Sequence, residues 1–385
     1  MDRKEELAVG RRLIGHIDGR TTDLADDLFR NQVIAYSCRD RARLERERLF
    51  RDHPIFMGLG TRLAKPGDYL TEDVAGLPVL LTRGTDGAVR AFANICRHRG
   101  APAAQGCGNA RAFTCPYHGW TYDLTGRLLG TTDKVAFAGL DLASHGLVPL
   151  PAAEKHGMIF VRPKPASPGE GCAIDVDVML GAMAADMEAL DLNGYPMFSA
   201  DRVAPRINWK FAVDTFLEGY HIPHLHRKTI GPYFIGNCGT FDAAGLNGRM
   251  CVARTSIDAV RPLPEAERNY RTHVISVYQL FPNTIVIWQV DHIEIWRAFP
   301  DRDDPGRCDV EMTIYKPADS DRPDAYWEKN RDIAIRTVME EDFPLGERMQ
   351  IGFESGATRE VIYGRNEPSL VHFHRSIRSA LGVSA

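Results

Sequence analysis

The chain has 385 residues and a formal net charge of −4; 44% of its residues are hydrophobic and 25% are charged. This length suits two domains with a core each, and the lack of a basic excess argues against a nucleic-acid partner. No run of about 18 apolar residues occurs and the N-terminus lacks a signal-peptide core, so we expect no membrane partner and a cytoplasmic location. The eight cysteines are scattered, which favours metal binding or packing over a disulfide framework.

The first part of the chain is predicted to be helical. Residues 22–50 carry helical spacing and end in a stretch of alternating charge signs, which is typical of a solvated helix face. We assign residues 1–45 to an N-terminal helical segment that packs on the C-terminal domain.

Short β-rich runs follow in residues 67–96, and the turn sequences between them predict antiparallel hairpins. Cys96 and His98 leave the end of one predicted strand, and Cys115 and His118 precede another. Two loops at one tip of a small antiparallel unit can therefore direct four ligands at one point. Residues 162–171 are rich in Pro and Gly and form the predicted linker, so we place one domain at residues 46–165 and the next at 166–385.

The two Cys/His pairs have the spacings C-x-H and C-x2-H. A structural zinc site typically uses Cys-x2-4-Cys knuckles, whereas a Rieske [2Fe-2S] cluster needs two cysteines on one iron and two histidines on the other. The pattern therefore favours a Rieske cluster held by Cys96, His98, Cys115 and His118, with zinc as the alternative. Cys107 lies between the pairs and is interpreted as a loop cysteine.

The segments "CRHRG" and "CPYHGW" together resemble the cluster-binding signature of Rieske oxygenase terminal components. The resemblance extends from residue 67 to the C-terminal region. It implies a Rieske domain joined to a helix-grip, START-like catalytic domain, usually assembled as a trimer of oxygenase subunits.

The second domain is predicted to be α+β. Runs between residues 273 and 315 alternate apolar and polar side chains, which predicts an antiparallel sheet with one solvent-exposed face. Helices are expected at about 206–221, 323–351 and 367–380. Four apolar positions on the predicted strands are candidates to line a cavity, although such residues more often belong to a core: Tyr278, Phe281, Ile287 and Trp288. His372 and His374 lie on the last helix and are interpreted as surface or packing residues.

Residues 208–226 carry a second group of candidate ligands. On a helix, Asp214, Glu218 and His221 would share one face, and Pro223 would interrupt that helix just after His221. Non-haem iron(II) oxygenases use two histidines and one carboxylate. The H-x4-H pattern of the family implies His221 and His226 as those histidines, whereas helical spacing alone also allows His224.

The carboxylate ligand is expected in "VMEEDF". Asp342 lies on a predicted apolar stripe, whereas Glu340 and Glu341 lie off it. A carboxylate buried there needs a partner such as a divalent iron. We therefore interpret Asp342 as the third ligand of a mononuclear Fe(II), in agreement with the family's acidic pair, with a salt-bridged helix acid as the alternative. The stripe consists of Ile335, Val338, Met339, Leu345 and Met349.

The resemblance also implies partners. In the family, electrons from NAD(P)H pass through a separate reductase to the Rieske cluster and then to the iron of the neighbouring subunit, through a carboxylate three residues before the first iron histidine. That position is Glu218, and Asp214 is a weaker candidate for a supporting role. A ferredoxin is a further candidate electron carrier, and the assembly is expected to be a homotrimer.

The predicted function is the oxygenase component of a multicomponent Rieske non-haem iron oxygenase. It would use O2 to hydroxylate a small organic substrate, with an aromatic ring as the first candidate. Glu218 stands where ring-hydroxylating dioxygenases carry Asp and resembles carnitine- and betaine-type oxygenases, so monooxygenation of a quaternary ammonium or N-/O-methyl substrate is the alternative. The non-enzymatic alternative is a Rieske electron carrier with a START-like binding domain.

Overall fold

The architecture comes from a computed structural model that describes residues 1–167 and 173–383. Cys172 and positions 168–171 of the predicted linker lie outside the described residues. The chain divides into two compact units, Phe50–Val176 and the combination of Met1–Leu49 with Asp177–Ala385. In the described part of the chain, no helix has the length and apolarity that crossing a bilayer demands.

The first 49 residues contain three helices and a strand. Helix α1 begins after Asp2, whose carboxylate accepts a 2.8 Å hydrogen bond from the Glu5 N–H. The helical prediction for residues 22–50 is right for the second half only, because residues 29–32 alternate buried and exposed side chains and pair with residues 360–363 as a strand. The elements are α1 Arg3–Gly19, β1 Phe29–Gln32, α2 Ile34–Ser37 and α3 Arg39–Arg48.

The unit Phe50–Val176 is built from short antiparallel strands. Its strands are β2 Ile55–Leu59, β3 Asp68–Val74, β4 Leu77–Arg83, β5 Val89–Ala93, β6 Cys107–Asn109, β7 Ala112–Thr114, β8 Thr121–Asp123, β9 Leu128–Gly130, β10 Pro149–Leu150, β11 Ala152–Lys155 and β12 Met158–Val161. They form sheets of order β10-β5-β4-β3-β6, β11-β12-β2 and β7-β8-β9.

Two features of this unit bear on the sequence predictions. The β3–β4 hairpin turns at Ala75 and Gly76, as predicted, with positive φ angles of 49° and 84° that suit a two-residue hairpin turn. Cys107 is not a loop cysteine, because it pairs with β3 as the first residue of β6, where its side chain is exposed.

The remaining elements belong mainly to the other unit. They are α4 Val176–Leu180, α5 Ala184–Leu190, β13 Met197–Val203, α6 Trp209–Asp214, α7 Ile222–Leu225, β14 Phe234–Ala244, β15 Asn247–Arg254, β16 Val274–Leu280, β17 Thr284–Trp288, β18 Ile293–Pro300, β19 Cys308–Tyr315, α8 Asp324–Thr337, α9 Phe343–Glu354, β20 Glu360–Tyr363 and α10 Pro368–Leu381. Seven strands form one antiparallel sheet of order β13-β19-β18-β17-β16-β15-β14. Antiparallel sheets with flanking helices confirm the predicted α+β class.

The seven-stranded sheet was predicted to have one solvent-exposed face, and its central strands differ from this prediction. Every residue of β16 and β18 is buried, including the polar ones. Arg297 and Glu311 are directly opposed on β18 and β19 and form an ion pair at 2.5 Å. Because these charges neutralise each other, the two polar positions can be buried within the sheet.

Two predicted long helices are interrupted. The helix expected at 206–221 ends at Asp214, and the one expected at 323–351 contains a π-helical turn over Val338–Asp342. Pro344 follows this turn within the first residues of α9. Proline has no N–H to donate and clashes with the carbonyl four residues earlier, so a local widening of the helix is the physical response to it.

Candidate metal centres and substrate cavity

The two Cys/His loops of the unit Phe50–Val176 have the same backbone structure. In each loop the cysteine carbonyl accepts a 2.9 Å hydrogen bond from a glycine N–H four residues later, Gly100 on Cys96 and Gly119 on Cys115. Both glycines have positive φ angles, 82° and 70°, which explains the residue type at these turns. Both cysteine side chains are buried in one core.

The two histidines of these loops lie against each other. The rings of His98 and His118 have centroids 4.6 Å apart, and Trp120 stacks on His98 at 5.0 Å. The Nδ1 atom of His98 is buried and has no hydrogen-bond partner among the described residues. A buried imidazole nitrogen is costly without a partner, so two buried thiols and this nitrogen fit a metal cluster. The structure thus places Cys96 and Cys115 in one core and His98 against His118, and these four residues stay the predicted cluster ligands.

His221 and His226 lie at the two ends of the short helix α7. Because His221 precedes the helix and His226 follows it, a separation of five residues still brings their rings together, with Nε2 atoms 3.1 Å apart. His224, the alternative ligand, is exposed and lies outside this group.

Asp342 completes the group from the last position of the π-helical turn. Its side chain is 6% exposed, and its Oδ1 atom lies 3.2 Å from His226 Nε2 and 3.7 Å from His221 Nε2. Thr215 donates a 3.0 Å hydrogen bond to the same oxygen. The apolar stripe that suggested Asp342 is only partly buried, because Met339, Leu345 and Met349 are exposed; the π-helical turn changes the helical register on which the stripe was counted.

These three side chains fit a six-coordinate cation. Ligands on one face of an octahedral ion, each about 2.1 Å away, lie about 3 Å from one another. The observed separations are close to this value, and two histidines with one carboxylate are the donor set of non-haem Fe(II) sites. The Asp342 and Glu341 carboxylates outweigh burial and raise the pKa of His226, so the group already favours positive charge.

A carboxylate also lies at the outer nitrogen of each histidine. Glu218 is hydrogen-bonded to His221 Nδ1 and accepts the His221 backbone N–H at 3.0 Å. Glu341 Oε2 lies 2.6 Å from His226 Nδ1. Glu218 was predicted to share a helix face with His221; instead it lies in the turn between α6 and α7, where its carboxylate accepts backbone N–H groups and so competes with a helix.

Asp214 lies elsewhere. It is buried at the end of α6, where it accepts hydrogen bonds from Tyr36 Oη at 2.6 Å and from His374 Nε2 at 2.9 Å. Asn31 donates its side-chain N–H to His374 Nδ1 at 3.2 Å, which leaves the proton on Nε2. His374 is therefore buried in a polar network that connects α10 to α6. Of the two interpretations of His374, packing residue or surface residue, the structure shows the first.

The group His221, His226 and Asp342 opens into a cavity of about 370 Å³. Ile287 lines it as anticipated, whereas Tyr278 and Trp288 line a separate, much smaller space. Sequence reasoning missed Phe216, Trp296 and Glu294. The signal for the last two was available, because residues 294 and 296 alternate on β18 and so lie on the same face of the sheet.

The polar part of the cavity wall centres on His292. Its Nδ1 lies 2.8 Å from Asp291 Oδ1, and its Nε2 lies 3.5 Å from Glu294 Oε1. Burial alone would lower the pKa of His292, but the two carboxylates outweigh it and raise the pKa to about 9. Tyr326 donates a 2.6 Å hydrogen bond to the second oxygen of Asp291. The cavity therefore combines an apolar wall with a compact, charged one.

Two family models match this chain. The Rieske [2Fe-2S] domain matches residues 57–144, and the ring hydroxylating alpha subunit (catalytic domain) matches residues 194–382. The chain therefore carries a Rieske [2Fe-2S] domain and a ring hydroxylating alpha subunit catalytic domain. This confirms the resemblance identified from the cluster motifs, and with it the two cofactors, a Rieske cluster and a mononuclear iron.

Relatives of known activity share part of the chain. Over 188 residues it is 30% identical to the glycine betaine monooxygenase oxygenase subunit of Chromohalobacter salexigens, covering 49% of this chain and 41% of that one. Over 197 residues it is 34% identical to the benzene 1,2-dioxygenase subunit alpha of Pseudomonas putida, covering 48% and 42%. The chain thus spans less than half the length of these curated relatives.

The fold extends over nearly the whole chain. A crystal structure of the quaternary ammonium Rieske monooxygenase CntA with an inhibitor is similar with a TM-score of 0.79 at 21% identity, covering 93% of this chain and 96% of that one. This likeness supports the architecture.

Proposed function

We propose that this protein is the oxygenase component of a multicomponent Rieske non-haem iron oxygenase. The observation that carries the proposal is the group His221, His226 and Asp342, whose ligand atoms lie within 4.8 Å of one another and open into a cavity of substrate size. We propose Cys96, His98, Cys115 and His118 as the Rieske ligands. A Rieske electron carrier would need neither the second group nor the cavity.

The residues have separable tasks in this reaction. His221, His226 and Asp342 would hold the iron, which when bound activates O2 for insertion into the substrate. Glu218 orients the His221 imidazole from outside. Phe216, Trp296 and the other apolar lining residues exclude water from the space where the substrate would lie.

The substrate class is part of the proposal. An aromatic ring is the first candidate, because much of the cavity wall is apolar or aromatic. The second is a quaternary ammonium or N-/O-methyl compound, favoured by the buried Glu294 carboxylate beside Trp296, since a carboxylate and an indole ring both attract a cation. Two similar proteins are named for glycine betaine and quaternary ammonium oxidation.

We further propose a homotrimer in the cytoplasm that receives electrons from an NAD(P)H-dependent reductase, directly or through a ferredoxin. We retain the division into residues 1–45, 46–165 and 166–385 as the functional domains. Cell fractionation and light scattering of the purified protein test the location and the assembly.

The central experiment measures oxygen uptake by iron-loaded protein with a surrogate reductase. Benzoate and naphthalene represent aromatic substrates, and glycine betaine and carnitine represent quaternary ammonium substrates. Product formation coupled to uptake is expected with one of these classes. A Rieske electron paramagnetic resonance signal without mononuclear iron would support the electron carrier instead, and a colourless zinc protein would contradict both.

A further inference from the structure

Glu341 is a carboxylate next to a proposed iron ligand, yet its contacts differ from those of Asp342. We propose that Glu341 is a positioning residue that holds His226 by its Nδ1 atom, so that Nε2 faces the metal. This inference rests on the proposed iron site and adds a residue whose contribution is orientation and not coordination.

The hydrogen bond from His226 to Glu341 holds the Nδ1 side of the ring. The 2.6 Å contact joins His226 Nδ1 to Glu341 Oε2. An ionised carboxylate only accepts, so Nδ1 carries a proton in this contact and is not available to a metal. Nε2 points into the group where Asp342 Oδ1 and His221 Nε2 are 3.2 and 3.1 Å away. Nε2 is therefore the nitrogen of this ring that is placed to coordinate a metal.

Thr229 holds Glu341 in place. Its hydroxyl donates a 2.6 Å hydrogen bond to the same Oε2 atom. Thr229 belongs to the turn that follows His226, because its backbone N–H donates to the His226 carbonyl at 3.1 Å. Glu341 is thus bonded to the ring of His226 and to the Thr229 hydroxyl in the turn after His226, and it joins this turn to the helical segment that carries Asp342.

The π-helical turn separates the tasks of the two adjacent acids. Asp342 is 6% exposed and faces Nε2 of His226, whereas Glu341 is 20% exposed and faces Nδ1 of the same ring. Consecutive residues therefore hold opposite sides of one imidazole. Glu340 is 61% exposed and pairs with Arg336 on its own helix, so it provides a matched control that carries the same charge one residue away.

The two histidines are oriented independently. Glu218, which bonds His221 Nδ1, comes from the turn just before that histidine and is itself held by backbone N–H groups of Tyr220 and His221. Glu341 comes from a distant segment of the chain. Loss of Glu341 is therefore expected to free His226 while His221 keeps its partner.

The test measures ferrous iron affinity by competition with a chelator, using protein whose Rieske cluster is intact. Glu341→Ala is expected to weaken iron binding at the mononuclear site by about 10- to 100-fold, the usual effect of losing such a partner. Glu341→Gln keeps an acceptor oxygen without the charge and should restore part of the affinity. Thr229→Val should give a smaller loss, and Glu340→Gln should stay within about twofold of the parent.

The Rieske absorption spectrum and the melting temperature of the iron-free protein are recorded for every variant. They should be unchanged, which separates orientation of the ligand from a general loss of structure. If Glu341→Ala does not fold, Glu341→Gln and Thr229→Val still test the role.

Two results would overturn the proposal. One is an iron affinity of Glu341→Ala equal to that of Glu340→Gln. The other is loss of iron in Glu341→Ala together with full retention in Asp342→Ala, which would make Glu341 the ligand. A parent protein that binds no mononuclear iron would refute the proposed function itself, and this outcome is visible before any variant is made.

Discussion

At the scale of single residues, the contacts of the His226 ring show how the fold selects partners for a side chain. Its ring is 2% exposed and contacts a carboxylate at each nitrogen. The chain offered two candidate histidines after Pro223, and spacing could not choose between them; among the three consecutive acids at 340–342, the apolar stripe favoured Asp342. Side-chain reach and burial make the choice in the folded protein.

Removal of Asp342 tests the proposed ligand set directly. Asp342→Ala should lose most of the mononuclear iron and all turnover, because two histidines alone leave the cation without its balancing charge. Iron analysis and the Rieske spectrum measure the two centres separately, and the spectrum should survive. Full iron content in this variant would contradict the assignment of Asp342.

His292 gives the cavity a pH-dependent contribution to stability. Its pKa of about 9 in the folded protein lies above its ordinary value of 6.5. The imidazolium therefore stabilises the fold below pH 6.5, by on the order of 3 kcal/mol, and this contribution is lost as the pH rises through 9. His292→Gln should consequently destabilise the protein much more at pH 6 than at pH 10, as measured by urea denaturation.

His273 is a control for this prediction. Burial and the nearby Arg254 lower its pKa, so His273→Gln should cause no destabilisation that fades with rising pH. A His292→Gln penalty that is equal at both pH values would mean that His292 is neutral in the folded protein.

At the scale of elements, the strands were easier to predict than the helices. The β3–β4 hairpin was identified from its turn residues, and both cysteine loops from their positions beside strands. The helix expected through residue 221 ends at Asp214 because Glu218, Gly219 and Pro223 follow. Helical periodicity is outweighed here by three local effects. Glu218 accepts backbone N–H groups, Gly219 is flexible, and Pro223 has no N–H.

Helix α1 provides a matched pair of glycines. A Cβ atom on Gly10 would lie 2.3 Å from the ring of the buried Tyr270, whereas one on Gly15 would meet nothing within 4 Å. Gly10→Ala should therefore destabilise the protein by about 1–3 kcal/mol through overpacking. Gly15→Ala should stabilise it by about 0.5–1 kcal/mol, because alanine favours a helix. Denaturation curves of the two variants compare these effects, and equal effects would contradict the packing of α1 on Tyr270.

At the scale of the whole molecule, the proposed function requires two redox centres to exchange electrons. The family resemblance assigns this exchange to Glu218, and the structure bonds Glu218 to His221 Nδ1 within its own chain. These two roles are compatible, because a carboxylate has two oxygens with several acceptor positions.

Glu218→Gln should leave both metal centres assembled and slow the transfer between them by roughly tenfold or more, since it removes the charge but keeps the shape. Single-turnover oxidation of the reduced Rieske cluster with substrate and O2 measures this rate, and Glu340→Gln is the control. Light scattering of both variants should report the same assembly as the parent protein. Rieske oxidation as fast as in the parent would exclude Glu218 from the path.

The sequence alone determined the chemistry of both centres and the class of the fold. Which metals a site can bind depends on the side chains themselves, and the spacings C-x-H and C-x2-H are compatible with few metal sites. Alternation of apolar and polar residues along the strands is likewise compatible with few kinds of sheet. The tertiary structure decided which acid faces which nitrogen, that Asp214 belongs to a network with Tyr36 and His374, and that strands β16 and β18 of the main sheet are buried on both faces. The contacts of His226 with Glu341 and of Asp214 with Tyr36 and His374 join residues more than a hundred positions apart, where local periodicity carries no information.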